Sequence, residues 1–307
     1  MLSLLTAWLS HLLDVPHSID FPLLTSAGVG HFIDYSFLAS AGGAHVIDFT
    51  IMPFLAAGVL AGLLAGYLGI GGGIIYVPVL FYLLPDSPFK AQIVVGTSCA
   101  TKSIITLSSI YRHSREDNIL FSYYPLFIGG MIGGFTGANI SASLPTDTLQ
   151  RIIAVVIALL AMYTVYKTFH HHHDQNAAIR KPSFWLLPVG FVIGTIAGGV
   201  GGTGGAITVP ILLGMFHFPI KKAAGTSSAM VFGLSIISAL VYVFRGRLVG
   251  CGGSCGFIDV RAALLLSVTA FPAAQLGVYL HRFGRPKVFY AIFSLMLLAV
   301  AIKLIIL

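Results

Sequence analysis

Charge is scarce in this chain. Asp, Glu, Lys and Arg make up only 9% of its 307 residues, where a soluble domain carries about 25%. No Lys or Arg precedes Lys90. The first scarcity excludes an ordinary water-soluble globule. The second makes MLSLLTAWLSHLL a poor match to a cleaved secretory signal, which needs a basic n-region. The formal charge of +7 sits in stretches between apolar runs, where membrane proteins keep it, and does not point to nucleic acid. What the chain has instead is apolar length. Hydrophobic residues make up 57% of it. Apolar stretches recur near 92–111, 122–142, 149–168, 184–200, 222–244, 258–280 and 286–307, each near the ~20 residues that cross a bilayer as a helix. An all-α, polytopic protein in a lipid bilayer is predicted.

One apolar segment, broken by glycines, occurs twice. Residues 58–80 read GVLAGLLAGYLGIGGGIIYVPVL and residues 190–212 read GFVIGTIAGGVGGTGGAITVPIL. At a constant offset of 132, Gly58, Gly62, Gly66, Gly69, Gly72, Gly73, Val77, Pro78 and Leu80 fall on Gly190, Gly194, Gly198, Gly201, Gly204, Gly205, Val209, Pro210 and Leu212. The halves align further: Lys90-Ala91 with Lys222-Ala223 and, after a three-residue gap, Gly96-Thr97-Ser98 with Gly225-Thr226-Ser227. This divides the chain into an N-terminal extension (1–50), a first membrane repeat (51–168), a His-rich polar linker (169–183) and a second membrane repeat (184–307). In the extension, HSIDFPLLTSAG, HFIDYSFLASAG and HVIDFTIMPFLA set His17, His31 and His45, and Asp20, Asp34 and Asp48, at a spacing of 14.

Each glycine segment is too long for a simple span: the 34 residues of 51–84 would make a helix of about 50 Å. It either crosses once, tilted and kinked, or turns at the glycines and leaves on the side it entered. A single crossing divides Lys and Arg seven to nine between the faces. A hairpin gathers ten on one face (Arg112, Arg115, Lys167, Arg180, Lys181, Lys221, Lys222, Arg282, Arg285 and Lys287) and leaves Lys90, Arg151, Arg245, Arg247, Arg261 and Lys303 on the other. The hairpin gives the stronger positive-inside bias. It makes the halves inverted repeats, with the N-terminus outside the cytoplasm and the linker inside.

Paired interruptions in the two halves of a membrane protein point to a transporter's binding site, because the freed backbone groups are tolerated only where protein or a hydrated cavity satisfies them. A helix that starts inside the membrane directs free N–H groups and its positive dipole end at the break, which suits an anion. The candidate substrate-binding residues are therefore Gly69, Gly71, Gly72 and Gly73 of the first segment and Gly201, Gly202, Gly204 and Gly205 of the second. The spacings Gly58-Gly62-Gly66 and Gly190-Gly194-Gly198 also suit close helix packing. Thr97, Ser98, Thr226, Ser227 and Ser228 offer hydroxyl donors, or alternatively bond to their own preceding turns. Lys102, four residues after Ser98 and so on the same helical face, is an intramembrane charge and a functional hypothesis for that reason. Its counterpart is Val231, so its role is asymmetric. Cys99 lies beside this group, as a substrate contact or as plain packing. Cys251 and Cys255 fall outside the cytoplasm in the hairpin arrangement, as a disulfide candidate. His170, His171, His172 and His173 are weak candidates for a transition metal.

The two glycine-rich VP segments, the GTS segments and YRHSREDNI (111–119) resemble the sulfite exporter TauE/SafE family, also called TSUP, over about 51–307. The resemblance implies a transporter of the bacterial inner membrane, not an enzyme and without a cofactor. Its substrate would be a small sulfur-containing anion such as sulfite, a sulfonate or a related organic acid, coupled to an ion such as a proton. The HxID repeats and the four-histidine linker depart from the family pattern. The expected mechanism is alternating access, one repeat rocking against the other around an anion held between the two breaks. Two rivals remain at this point. A divalent-metal transporter would use the eleven histidines, although the glycine core contains no His, Asp or Glu. An intramembrane hydrolase would use Ser98 or Ser227 with a base such as His113, His217 or His281.

Overall fold

The computed structural model describes residues 45–68, 72–170, 182–250 and 255–280. Among them there is no strand. The helices are α1 (His45–Leu68), α2 (Gly73–Leu83), α3 (Lys90–Arg115), α4 (Tyr124–Ser143, after a 3-10 turn at Phe121–Tyr123), α5 (Thr146–His170), α6 (Leu186–Val200), α7 (Gly204–Gly214), α8 (Ile220–Leu248) and α9 (Val260–Leu280). The all-α expectation holds. α1 to α4 correspond to α6 to α9. Among the described residues, four helical stretches, Lys90–Arg115, Thr146–Tyr163, Ile220–Leu248 and Val260–Leu280, are long and apolar enough to cross a membrane. The stretches flanking the breaks, Ile51–Tyr67, Gly73–Leu83, Leu186–Val200 and Gly204–Gly214, are shorter. The first two HxID units lie outside the described residues. The third is the start of α1, which runs on through residue 50 without a break.

Small residues decide which helices meet. α1 packs most extensively on α9, and α6 on α4, so the first helix of each half is held by the fourth helix of the other. A Cβ on Gly62 would lie 2.5 Å from the Ala270 carbonyl oxygen, and one on Gly198 would lie 2.6 Å from that of Gly134. Backbones approach this closely only where side chains are absent, and dispersion and weak polar contacts along such a seam replace the hydrophobic drive that lipid does not supply. The packing role of the two small-xxx-small ridges is therefore real.

The order of contacts fixes direction. Gly58, Gly62 and Gly66 meet Leu266, Ala270 and Ala274 in turn, so α1 and α9 run parallel. Thr97 meets Asp259 and Ser108 meets Phe271, which makes α3 parallel to α9. In the other half, Gly190, Gly194 and Gly198 follow Leu126, Gly130 and Gly134, and α8 follows α4 from Thr226–Leu120 to Ser238–Gly134. α3 and α8 run antiparallel, Gly96 meeting Tyr242 and Ser109 meeting Ser228. Equivalent helices of the two halves thus point in opposite directions. Because α1 is parallel to α3, the chain must come back before α3 begins, and α2 is that return leg. Gly72 lies against the carbonyl of Ala61, already partway back along α1. The second half does the same through α7, with Gly204 against Ala197.

The outside of the bundle is apolar. Leu60, Phe135, Val155, Val192 and Val268 are each more than half exposed in mid-helix, a surface suited to lipid and not to water. Exposed Tyr111, Phe121, Tyr124, Phe184 and Trp185 gather at the end where α3 finishes and α4 and α6 begin, the collar expected at a membrane–water interface. Arg112, Arg115, Lys221 and Lys222 share that end, and Lys90, Arg151, Arg245, Arg247 and Arg261 share the other.

Candidate functional site

Both breaks need a left-handed backbone. Gly201 closes α6 at φ 79°, its N–H bonded to Ala197 O at 3.0 Å. Gly72 opens α2 at φ 68°, its carbonyl accepting from the Ile75 and Tyr76 amides. An L side chain is strained at these angles. The two breaks touch. A Cβ on Gly73 would lie 2.6 Å from Gly202 Cα and 2.7 Å from Gly201 O, and one on Gly202 would lie 2.8 Å from the Gly73 carbonyl carbon. α2 and α7 therefore start from one place and run apart. Their first-turn amides have no acceptor within the helix, and neither Gly72 nor Thr203, the residues before them, supplies a side-chain cap. Two positive dipole ends meet there.

α3 supplies the side chains. Ser98 Oγ donates to Gly201 O at 2.7 Å and so ties α3 to the opposite break. One turn on, Lys102 lays its stem along Gly73, its Cδ 2.6 Å from where a Cβ would sit. Lys102 is fully buried, and its Nζ has no hydrogen-bond partner. No other Lys, Arg, Asp or Glu among the described side chains is buried. Tyr76 Oη and Thr203 Oγ1 are also buried without a partner. Buried polar atoms are normally satisfied, and these three gather at the breaks: Tyr76 in the first turn of α2, Thr203 just before α7 and Lys102 with its stem along Gly73. The halves differ there: Lys102 and Tyr76 of the first stand where the second has Val231 and Thr208. Tyr76 and Thr203 were not singled out from sequence, although both lie inside the quoted glycine segments.

The remaining sequence candidates divide. Thr97 Oγ1 accepts from the Asp259 amide at 2.9 Å, and Thr226 Oγ1 accepts from the Leu120 amide at 3.1 Å. Their contacts dock the loop that enters the fourth helix of the other half. Gly96 and Gly225 make room for the same loops, Gly225 lying 2.5 Å, as a Cβ, from Asn118 O. That explains the YRHSREDNI segment structurally: its Asn118 is buried and meets Gly225 and His113. Ser228 Oγ pairs with Ser109 Oγ at 3.2 Å on the α3–α8 seam. Cys99 and Ser227 are buried. Gly204 and Gly205 form the first turn of α7; a Cβ on Gly204 meets only side chains, at 3.3–3.4 Å. Gly69, Gly71, His171, His172, His173, Cys251 and the side chain of His170 lie outside the described residues, while Cys255 is half-buried near Arg247.

Neither rival is supported by the described histidines or by the Ser98–His113 pair. Among the described residues no group of three His, Cys, Asp or Glu could hold a metal ion. Ser98 has its hydroxyl committed to a carbonyl, and His113 is fifteen residues farther along α3, about 22 Å by helical rise. Toward the Lys90 end, a cleft of about 470 Å³ opens between α3, the α4–α5 turn and α8, lined by Phe89, Gln92, Leu144, Arg245 and Leu248. Gln92 is fixed there by Leu144 O and Thr146, and Arg245 reaches Ser143 Oγ.

Known proteins resemble this chain over most of its length. A probable membrane transporter protein of Haemophilus influenzae is 31% identical over 242 residues, 74% of this chain and 87% of that one. One of Methanocaldococcus jannaschii is 24% identical over 77% of this chain and 89% of its own. The probable membrane transporter protein YunE of Bacillus subtilis is 23% identical over 81% of this chain and 94% of its own. No solved structure matches. The family model described as sulfite exporter TauE/SafE matches residues 54–304, both glycine segments and both GTS segments included. With its apolar helices, this makes the chain an integral membrane protein that belongs to the sulfite exporter TauE/SafE family.

Proposed function

We propose that the chain is a secondary transporter of small sulfur-containing anions (sulfite, organosulfonates or related organic acids) and not an enzyme. The observation that carries this reading is the contact between the two breaks. There the N-termini of α2 and α7 converge beside the unpartnered Lys102, with no carboxylate among the buried side chains. Convergent amides and a cation fit an oxyanion and repel a metal ion. Tyr76 and Thr203 add hydroxyl donors. The relatives' names support transport, and the family's description supports sulfite or its chemical kin.

In the bilayer, α1–α2 and α6–α7 would enter from opposite faces and each turn back, in keeping with their directions relative to α3 and α8. Irregular backbone at membrane depth is acceptable where it lines a binding cavity. The Arg112 end, with its aromatic collar, would be cytoplasmic and the start of α1 non-cytoplasmic, in a bacterial inner membrane. The moving parts differ from whole repeats. Rocking one half against the other would separate α1 from α9 and α6 from α4, the most extensive seams among the described helices. The units that keep those seams are α1–α2–α3–α9 and α4–α6–α7–α8, sliding along the α3–α8 contact.

The test is flux into proteoliposomes for sulfite, thiosulfate, sulfate, sulfoacetate, taurine and chloride. Saturable uptake of a sulfur anion, lost when Gly73 is made bulky while the protein still inserts, supports the reading. Equal flux in that variant, or no flux of any of the six, removes it.

A further inference from the structure

We propose that Lys102 carries the coupling proton: its amine is protonated while an anion occupies the space between the breaks and neutral while that space is empty. This rests on the anion-transport reading above. Lys102 is the thirteenth of the 26 residues of α3, midway along the helix, fully buried and without a partner. Asp48, Asp86, Glu116, Asp117, Asp147 and Asp259, the acidic residues among those described, all lie in loops or at helix ends. Carboxylates, the usual proton carriers of a transporter core, are therefore missing from it.

The elements packed on α3 offer nothing else for the role. Their buried titratable side chains are Tyr67 of α1, Tyr76 of α2 and Tyr242 of α8; α3 itself adds Cys99 and, at its far end away from Lys102, His113. α6 and α7 contain no titratable residue, and Asp147, Arg151 and Tyr163 of α5 and Arg261 and Tyr279 of α9 are exposed. None of these supplies a counter-charge to an ammonium at Nζ. An ammonium buried without a partner is costly. An incoming monoanion supplies the missing charge, and the pair crosses as an electrically neutral unit. After the anion leaves, the ammonium releases its proton to the same side, and the empty protein returns with a neutral amine. No covalent bond changes. One proton and one monoanion move together. Val231 in the equivalent place of the other half means one such proton per cycle, not two.

The test uses the full chain in proteoliposomes with each of the six anions named above, an interior pH dye and a membrane potential clamped by potassium. For a carried monoanion, a pH gradient of about one unit should drive about tenfold accumulation, with one proton entering per anion and no response to the potential. Lys102→Met should lose that accumulation. Lys102→Arg, which cannot give up its proton, should still exchange internal for external anion but show no net uptake, a split that a merely structural lysine would not produce. Wild-type uptake of a monoanion that moves no proton, or full accumulation in Lys102→Met, overturns the proposal and leaves transport standing. No flux of any anion by the wild type removes the transport reading itself.

Discussion

Gly73 and Gly202 touch backbone to backbone, whereas Gly204 faces only the side chains of Ala197, Val231 and Leu234. The three glycines are therefore unequal, although sequence presents them as one motif. Gly73→Ala and Gly202→Ala should each lower anion flux by about tenfold or more, because overpacking costs ~1–3 kcal/mol where backbone cannot yield. Gly204→Ala should stay within about twofold, since contacts of 3.3–3.4 Å need only small side-chain shifts. Flux normalised to membrane-inserted protein separates the cases, and a uniform response would contradict the asymmetry. Ser98→Ala should lower the thermal midpoint in detergent, since an unsatisfied buried carbonyl costs ~1–3 kcal/mol. At this scale the sequence marked Gly73, Gly201, Gly202, Ser98 and Lys102, because broken helices and intramembrane charge are visible in composition alone. It did not mark Tyr76 or Thr203. A tyrosine or threonine in an apolar run is ordinary, and only the lack of a hydrogen-bond partner distinguishes these two.

Among the elements, the GTS segments changed meaning most. Read along a helix, their hydroxyls look like substrate donors; in three dimensions Thr97 and Thr226 each hold the amide of a loop from the opposite half. Thr97→Val and Thr226→Val should destabilise the protein by similar amounts, about 1–3 kcal/mol each, from a buried donor left unpaired. Matching falls in melting temperature would bear this out, and a loss of flux with unchanged melting would return the threonines to the binding site. The glycine ridges were legible from their four-residue spacing, since that period places them on one face. Their partners were not, because a ridge states that something approaches closely without naming what.

For the whole molecule, the decisive contact is the α3–α8 seam, crossed by the Ser109–Ser228 pair at 3.2 Å. If the two mixed bundles slide there, Ser109→Cys with Ser228→Cys should cross-link on oxidation and arrest flux, reductant should restore it, and neither single variant should respond. Undiminished flux in the cross-linked protein would place the motion elsewhere. The membrane class, the division into two halves and the positions of the breaks were determined by sequence alone, because they depend on local properties: apolar length, glycine spacing and the absence of charge. Direction was only half legible, as loop charges favoured a hairpin by a modest margin, and the parallel run of α1 and α3 accords with one. Tertiary structure alone decided the exchange of fourth helices between the halves, the meeting of the two breaks, and the isolation of Lys102 from the described carboxylates. These are relations between segments distant in sequence, 103 residues apart for Ser98–Gly201 and 162 for Thr97–Asp259. No local periodicity encodes them, because they arise from which small-residue ridges fit together once the helices are packed.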